Sequence, residues 1–478
     1  MNGQVYFVIA IPFLSSALLA ALPGYRLTAT LNVLASFLTL LAGANLLRIG
    51  HGVDEYLIID NVNIVFIMLN TLVGFTAAWF SASYIGHEIE SGRITVRAVR
   101  FYHAMYQAMM GAMNVALLAN NIGLIWVGLE LATLITVVMV GLYRTPEAIE
   151  AAWKYFILGS VGISLAFFGT ILAYLAGQEA LGEGLPAMSW NLLQANAAAL
   201  DVSLLNLAFV FLLVGYGTKV GLAPLHAWLP DAHSEGPTPI SAVLSGLLLN
   251  VALYALLRFK MLIAGNPLAM RPGPILIVMG LVSLIFAAFM LYQRRDIKRL
   301  FAYSSIEHMG LITFAFGMGG PLANFAGLLH MTMHSLTKSA IFFAVGHVAQ
   351  AKGTQRIAEI RGLSVSHPKL AIGLGLGVIA IAGLPPFGVF MSEFLILTTT
   401  FAREPWLAVL AASGLILAFG ALIMRLQGML FGAPSEPSHE VHASAIPFIL
   451  HLAIVMIAGL YLPGTLAAWF QRAAELLG

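Results

Sequence analysis

The chain has 478 residues, 60% of them hydrophobic and only 9% charged, with a mean hydropathy of +0.91. A soluble domain carries about 25% charged residues, so this composition excludes a soluble enzyme and defines a polytopic membrane protein. The formal net charge of +2 comes from dispersed basic residues and leaves no nucleic-acid footprint, and the lack of cysteine excludes disulfides, thiolate metal centres and iron–sulfur ligation.

A window of about 20 residues, the length of a helix that crosses a bilayer, predicts about fourteen spans. The first, 5–22, lacks a basic leader and reads as a span rather than a cleaved signal. Spans follow at 28–48 and 62–84. Between them HGVDEYLIIDNV, 51–62, mixes polar and apolar positions as a short surface hairpin would. Next come 103–119, 121–143 and 151–176, then a loop, Gly177–Asp201, without lysine or arginine. The spans 203–224, 238–259, 273–292, 299–318, 322–350, 370–399 and 405–430 lead to a Pro/Ser/His linker, Pro434–Ala443, and a last span at 444–469.

Four spans hold a charge in apolar surroundings: Glu130 in WVGLELATLITVV, Lys219 in LLVGYGTKVGLAPLHAW, Lys338 in LLHMTMHSLTKSAIFFAVG and Glu393 in LPPFGVFMSEFLIL. A charge at mid-bilayer costs from about 3 to above about 10 kcal/mol, so it survives where it lines a bundle interior, pairs with another charge or carries ions. Four of mixed sign, joined by helical histidines, point to an ion path rather than to isolated salt bridges. Two of the four adjoin prolines: VGLAPLHAWLP follows Lys219, and GLPPFG precedes Glu393. Proline removes a backbone N–H and clashes with the preceding turn. The carbonyls thus freed need partners, which a water-filled cavity beside the charge supplies.

His330, His334 and Lys338 are spaced i, i+4, i+8 and share one helix face, about 6 Å apart. Imidazole titrates near neutrality, so a His–His–Lys series can relay protons. The His330/His334 spacing also suits zinc. The sequence offers no third ligand and no HExxH glutamate beside the pair, so no metal is expected. His226 and His233, in PLHAWLPDAHSEGPTP, lie in a turn at the end of a broken helix, where proton uptake or loop anchoring is expected rather than catalysis. No P-loop, dinucleotide fingerprint or GxSxG elbow occurs, so neither a catalytic site nor a cofactor is expected in this chain.

The chain also carries signs of duplication. Lys219 and Glu393, ALLRFKML and ALIMRLQGML, and Glu130 and Glu307 or His308 are all offset by about 170 residues, which makes inverted repeats of five spans each. The expected fold is all-α, with about fourteen transmembrane helices, two inverted five-helix repeats and discontinuous helices 7 and 12. Its parts are helices 1–3 with the hairpin (1–102), a first repeat (103–260), a second repeat (261–432), and a linker with helix 14 (433–478).

Basic residues set the orientation. Arg93, Arg97 and Arg100, then Arg294, Arg295, Lys298 and Arg299, then Lys352, Arg356, Arg361 and Lys369 all fall on one side, which is expected to be cytoplasmic. Both termini then face the periplasm across an inner (plasma) membrane. Arg258, Lys260 and Arg271 disagree.

Three long runs, TKVGLAPLHAWLPDAHSEGPTPISAVLSG, RRDIKRLFAYSSIEHMG and LLHMTMHSLTKSAIFFAVGH, resemble the antiporter-like membrane subunits of respiratory complex I and group 4 NiFe hydrogenases, relatives of Mrp-type cation/proton antiporters. SSIEHMG and PPFGVFMSEFLIL look like the hydrogenase-4 component F branch. The resemblance implies that Glu130 and Lys219 form the fifth- and seventh-helix pair, that Lys338 continues the axis and that Glu393 is its terminal acid. The family often has a lysine or histidine in the eighth helix, where this chain has Asn250, a residue that orients water but carries no proton. The implied function is a proton-translocating subunit of a membrane redox complex, with other membrane subunits and peripheral redox or hydrogenase subunits as partners. The alternatives are a sodium/proton antiporter and a non-conducting scaffold. Amines and imidazoles along the axis favour protons over sodium, which prefers oxygen ligands.

Overall fold

A computed structural model of the chain describes residues 3–478 apart from positions 98, 100, 437, 438 and 440–443. Arg100, one of the bases used for orientation, and most of the Pro434–Ala443 linker lie outside the described residues. The fold is an all-α membrane bundle. Each of the fourteen apolar ranges is helical over most of its length. Nine helices among the described residues are long and apolar enough to cross a membrane, or ten if the bent pair Ile446–Leu460 and Gly464–Leu476 counts as one. The remaining ranges are too short, broken or too polar for that test.

Burial differs between helices. The helices Thr238–Ala264, Ile297–Met318 and Pro321–Lys352 are almost entirely enclosed and carry the polar side chains Asn250, Glu307, His308, His330, His334 and Lys338. The peripheral helix Pro146–Leu181 turns Trp153, Ile157, Val161 and Phe168 outward. Apolar residues face the lipid and polar residues face the bundle interior, the arrangement a bilayer demands. Helices approach closely where glycine allows it. A Cβ on Gly215 would meet Gly162 O at 2.6 Å, and one on Gly280 would meet Gly310 O at 2.6 Å.

Three interruptions matter. Val202–Val220 stops at Gly221, and a turn leads to the short helix Leu229–Glu235. Pro368–Ile381 and Gly388–Arg403 are separated by AGLPPF, so both proline breaks lie where the sequence predicts them. The third is a π turn, Leu244–Leu248, inside Thr238–Ala264. In the segment read as a hairpin, Gly52–Val53 pairs antiparallel with Ile58–Ile59. The Gly177–Asp201 loop contains two short helices, Leu185–Met188 and Trp190–Ala195.

The bases that disagreed with the orientation pattern are partly interior. Arg258 is buried, donates to Asp60 Oδ2 at 2.6 Å and stacks over Trp190 at 4.3 Å. Lys260 donates to Leu477 O at 2.8 Å. Lys298 is interior too, with its ammonium on the carbonyls of Ser234 and Gly236. Loop-charge counting assumed exposure that these three lack. Removing one member of a buried pair costs about 3–5 kcal/mol, so Arg258→Ala is expected to lower the thermal midpoint of the detergent-solubilised protein markedly. Arg258→Met with Asp60→Asn should lower it less, since no charge is then stranded.

Candidate functional site

The first half of the site is built on Lys219. It lies in the last turn of Val202–Val220, fully buried, and its Nζ donates to Thr133 Oγ1 at 2.9 Å and sits 5.7 Å over the Tyr155 ring. Gly159 makes room for it, because a Cβ there would lie 2.9 Å from Nζ. Glu130 stands one turn from Thr133 on Ile122–Val140. It is half-buried, and its Oε2 has no hydrogen-bond partner among the described residues. Thr133 holds the Lys219 ammonium, and no direct ion pair joins Glu130 to Lys219 among the described residues. Past the break, Trp228 Nε1 donates to Thr218 O at 2.8 Å and stacks on Tyr155 at 4.3 Å. His226 lies in the break against Phe286, and His233 is buried, stacked 5.1 Å from Phe342. Neither ring nitrogen of His233 has a partner among the described residues.

At the centre, Asn250 follows the π turn. Its Nδ2 donates to Gly246 O at 3.1 Å and to Ser335 Oγ, and Ser335 donates to Gly246 O in turn. Ser245 and Ser305 are hydrogen-bonded at 2.6 Å. A seam of amide and hydroxyl groups therefore joins the eighth-span helix to the two helices of the other half.

The second half gathers on Ile297–Met318, Pro321–Lys352 and Gly388–Arg403. Lys338 Nζ donates to Phe301 O at 3.1 Å and lies 5.7 Å over the Phe301 ring. Glu307 Oε2 lies 3.5 Å from His308 Nε2. His308 Nδ1 meets His330 Nε2 at 3.0 Å, His330 Nδ1 meets Ser392 Oγ at 2.8 Å, and Glu393 Oε1 lies 3.9 Å from His308 Nδ1. The in-helix ladder is therefore not continuous. His334 is 5.5 Å from His308 by ring centroids and neither of its nitrogens has a partner among the described residues, while His308 from the neighbouring helix takes the place beside His330.

Sequence reasoning missed Thr133, Ser392 and Lys298. The first two carried a signal, being three residues after Glu130 and immediately before Glu393. Glu393 itself folds back over the helix break. Gly383 there has φ +69°, and a Cβ would overlap Glu393 Oε2. A non-glycine residue in that backbone region costs about 1–3 kcal/mol. Gly383→Ala is expected to destabilise the chain by that much in thermal unfolding and to displace Glu393. Gly428→Ala, with open space around it, should be neutral or slightly stabilising.

Fold and site together define an antiporter-like membrane subunit, a helical bundle with buried ionisable groups strung between two broken helices. Residues 119–418 match the family described as NADH:quinone oxidoreductase/Mrp antiporter, TM, and the chain belongs to it. It is 58% identical over 470 residues to a hydrogenase-4 component F homolog from Methylacidiphilum infernorum (isolate V4), covering 98% of this chain and 99% of that one. Two solved structures share the fold. A chain of the membrane-bound sulfane sulfur reductase, an archaeal respiratory membrane complex, superposes with a TM-score of 0.88 at 24% identity over 99% of this chain and 98% of that one. A chain of respiratory complex I from Thermus thermophilus gives 0.82 at 23% identity over 99% and 100%.

Proposed function

We propose that this chain moves protons within a membrane-bound redox complex. The observation that carries the reading is the hydrogen-bonded series His308, His330 and Ser392, with Glu307 3.5 Å from His308 and Glu393 beside it at a broken helix. Imidazole accepts a proton at one nitrogen and releases one at the other, so a pair of rings in contact is a transfer element. Lys219 and Lys338 are the storage groups of the two halves, and the Asn250–Ser335 seam is the link between them. Asn250 holds no proton. It orients the groups that do.

Glu393 is buried, but the acid at the other end of the path needs cover. Glu130 is half-exposed on an apolar face with Val127, Leu131 and Leu134, and a carboxylate facing lipid is costly. A second membrane subunit docked there removes that cost, and this chain is read as one of several membrane subunits beside peripheral redox or hydrogenase subunits. The offset of about 170 residues between the breaks supports two inverted five-helix repeats. The basic loops favour a cytoplasmic face at Arg299 and Arg356, with both termini periplasmic.

The groups available are mostly amines and imidazoles, poor partners for a hard sodium ion, with few carboxylate oxygens among them. Reconstituted in vesicles with its parent complex, the protein is expected to drive proton movement at the same rate in sodium-free potassium buffer. Strict dependence on sodium would replace the proton reading with a sodium/proton exchanger.

A further inference from the structure

The His308–His330–Glu393 cluster has a second chemical capacity. The zinc possibility weighed for His330 and His334 lacks a third ligand in sequence. Folding supplies one by bringing in other residues, since His308, His330 and Glu393 each offer a donor atom and all three atoms lie within 4.8 Å of one another. Zn–N bonds of about 2.0–2.1 Å at tetrahedral angles put donor atoms about 3.3 Å apart. His308 Nδ1 and His330 Nε2 are already 3.0 Å apart, and Glu393 Oε1 at 3.9 Å needs only a small side-chain rotation.

The outer groups match as well. A metal-binding histidine donates its other N–H to a carboxylate, carbonyl or hydroxyl, which fixes its tautomer. Here His330 Nδ1 meets Ser392 Oγ at 2.8 Å, and His308 Nε2, which has no hydrogen-bond partner among the described residues, lies 3.5 Å from Glu307 Oε2, the acceptor it would take. With both rings neutral and their N–H groups on those outer nitrogens, two lone pairs and the Glu393 carboxylate converge on one point. The proton that joins the rings in the metal-free state moves to His308 Nε2, so the rings neither gain nor lose a proton. Two imidazoles and one carboxylate with a fourth position open form a donor set suited to zinc.

We infer that His308, His330 and Glu393 form a binding site for a borderline-soft divalent cation of the zinc type, oriented by Glu307 and Ser392. A cation there occupies the lone pairs a proton would use, so zinc blocks transport. That consequence, though not the binding, rests on the proton-path reading above.

Co2+ is the probe, because its four-coordinate form has an intense visible absorption. Titrating the purified full chain is expected to give one saturable four-coordinate Co2+, displaced by Zn2+. His308→Gln and His330→Gln should each abolish the signal, and His334→Gln should leave it unchanged. Ser392→Ala, which keeps all three ligands, should weaken binding about tenfold. Absence of saturable binding, a signal that survives His308→Gln, or loss of the signal in His334→Gln would each overturn the site. If Ser392→Ala binds as tightly as wild type, the proposed orientation is wrong. Saturable Co2+ binding beside zinc-insensitive proton transport would leave the site standing and sink the proton-path reading.

Discussion

Lys219→Met is expected to leave the chain folded and assembled while proton transport by the parent complex falls by about a hundredfold, within the range a single positioned acid–base group supplies. Methionine keeps most of the side chain's length and apolar bulk in the pocket beside Gly159 and Tyr155 and removes only the group that binds a proton. The single direct hydrogen bond to Thr133 is lost. That bond contributes about 1–3 kcal/mol, and relief of a buried charge offsets it, so stability should change little. Proton uptake into proteoliposomes and assembly on native gels separate the two effects. Glu130→Gln should follow the same pattern. Near-normal transport by either variant means that this half of the chain is structural.

Glu393 is the second large effect. No hydrogen bond to its carboxylate occurs among the described residues, and its nearest charged-group contact is His308 at 3.9 Å. Glutamine preserves shape and removes the titratable proton. Both Glu393→Gln and Glu393→Ala are therefore expected to abolish proton transport while redox turnover of the parent complex survives in part. Normal transport by Glu393→Gln alongside failure of Glu393→Ala would make the residue a packing element of the break rather than the outlet. The position of the side chain over Gly383 makes this comparison informative, because alanine opens space there and glutamine does not.

Much of the site was legible because a charge in an apolar run is costly and therefore conspicuous. Glu130, Lys219, Lys338 and Glu393 each stand out against their neighbours, and Pro224, Pro385 and Pro386 mark the breaks by removing backbone donors. What stayed hidden came from other helices. The i, i+4 rule places His330 and His334 on one face, but it says nothing about which residue of the adjacent helix fills the gap beside them. His308 does, and the ladder becomes a pair across two helices. Lys298 reads as a loop base because it sits in RRDIKR, yet its chain turns inward to carbonyls a long way off in sequence. Thr133 and Ser392 are ordinary helical hydroxyls until a partner is placed against them. The π turn in LSGLL has no sequence signature at all.

That turn has a mechanical meaning. Asn250, Tyr254 and Arg258 recur every four residues and form one stripe, with Tyr254 donating to Leu117 O and Arg258 reaching Asp60. Within the turn and before it, Gly246 and Ala242 accept hydrogen bonds from Ser335 and Ser339. Each residue advances a helix by about 100°, so a regular helix of this length cannot match both sets of partners at once. The extra residue of the π turn acts as a phase adjuster between these two sets of contacts, which meet at Ser335. Deleting one residue from 244–248 would let the π turn close as an ordinary α turn with the Asn250 stripe still facing its partners, whereas forcing all five residues into a regular helix would spin the stripe by about 100°.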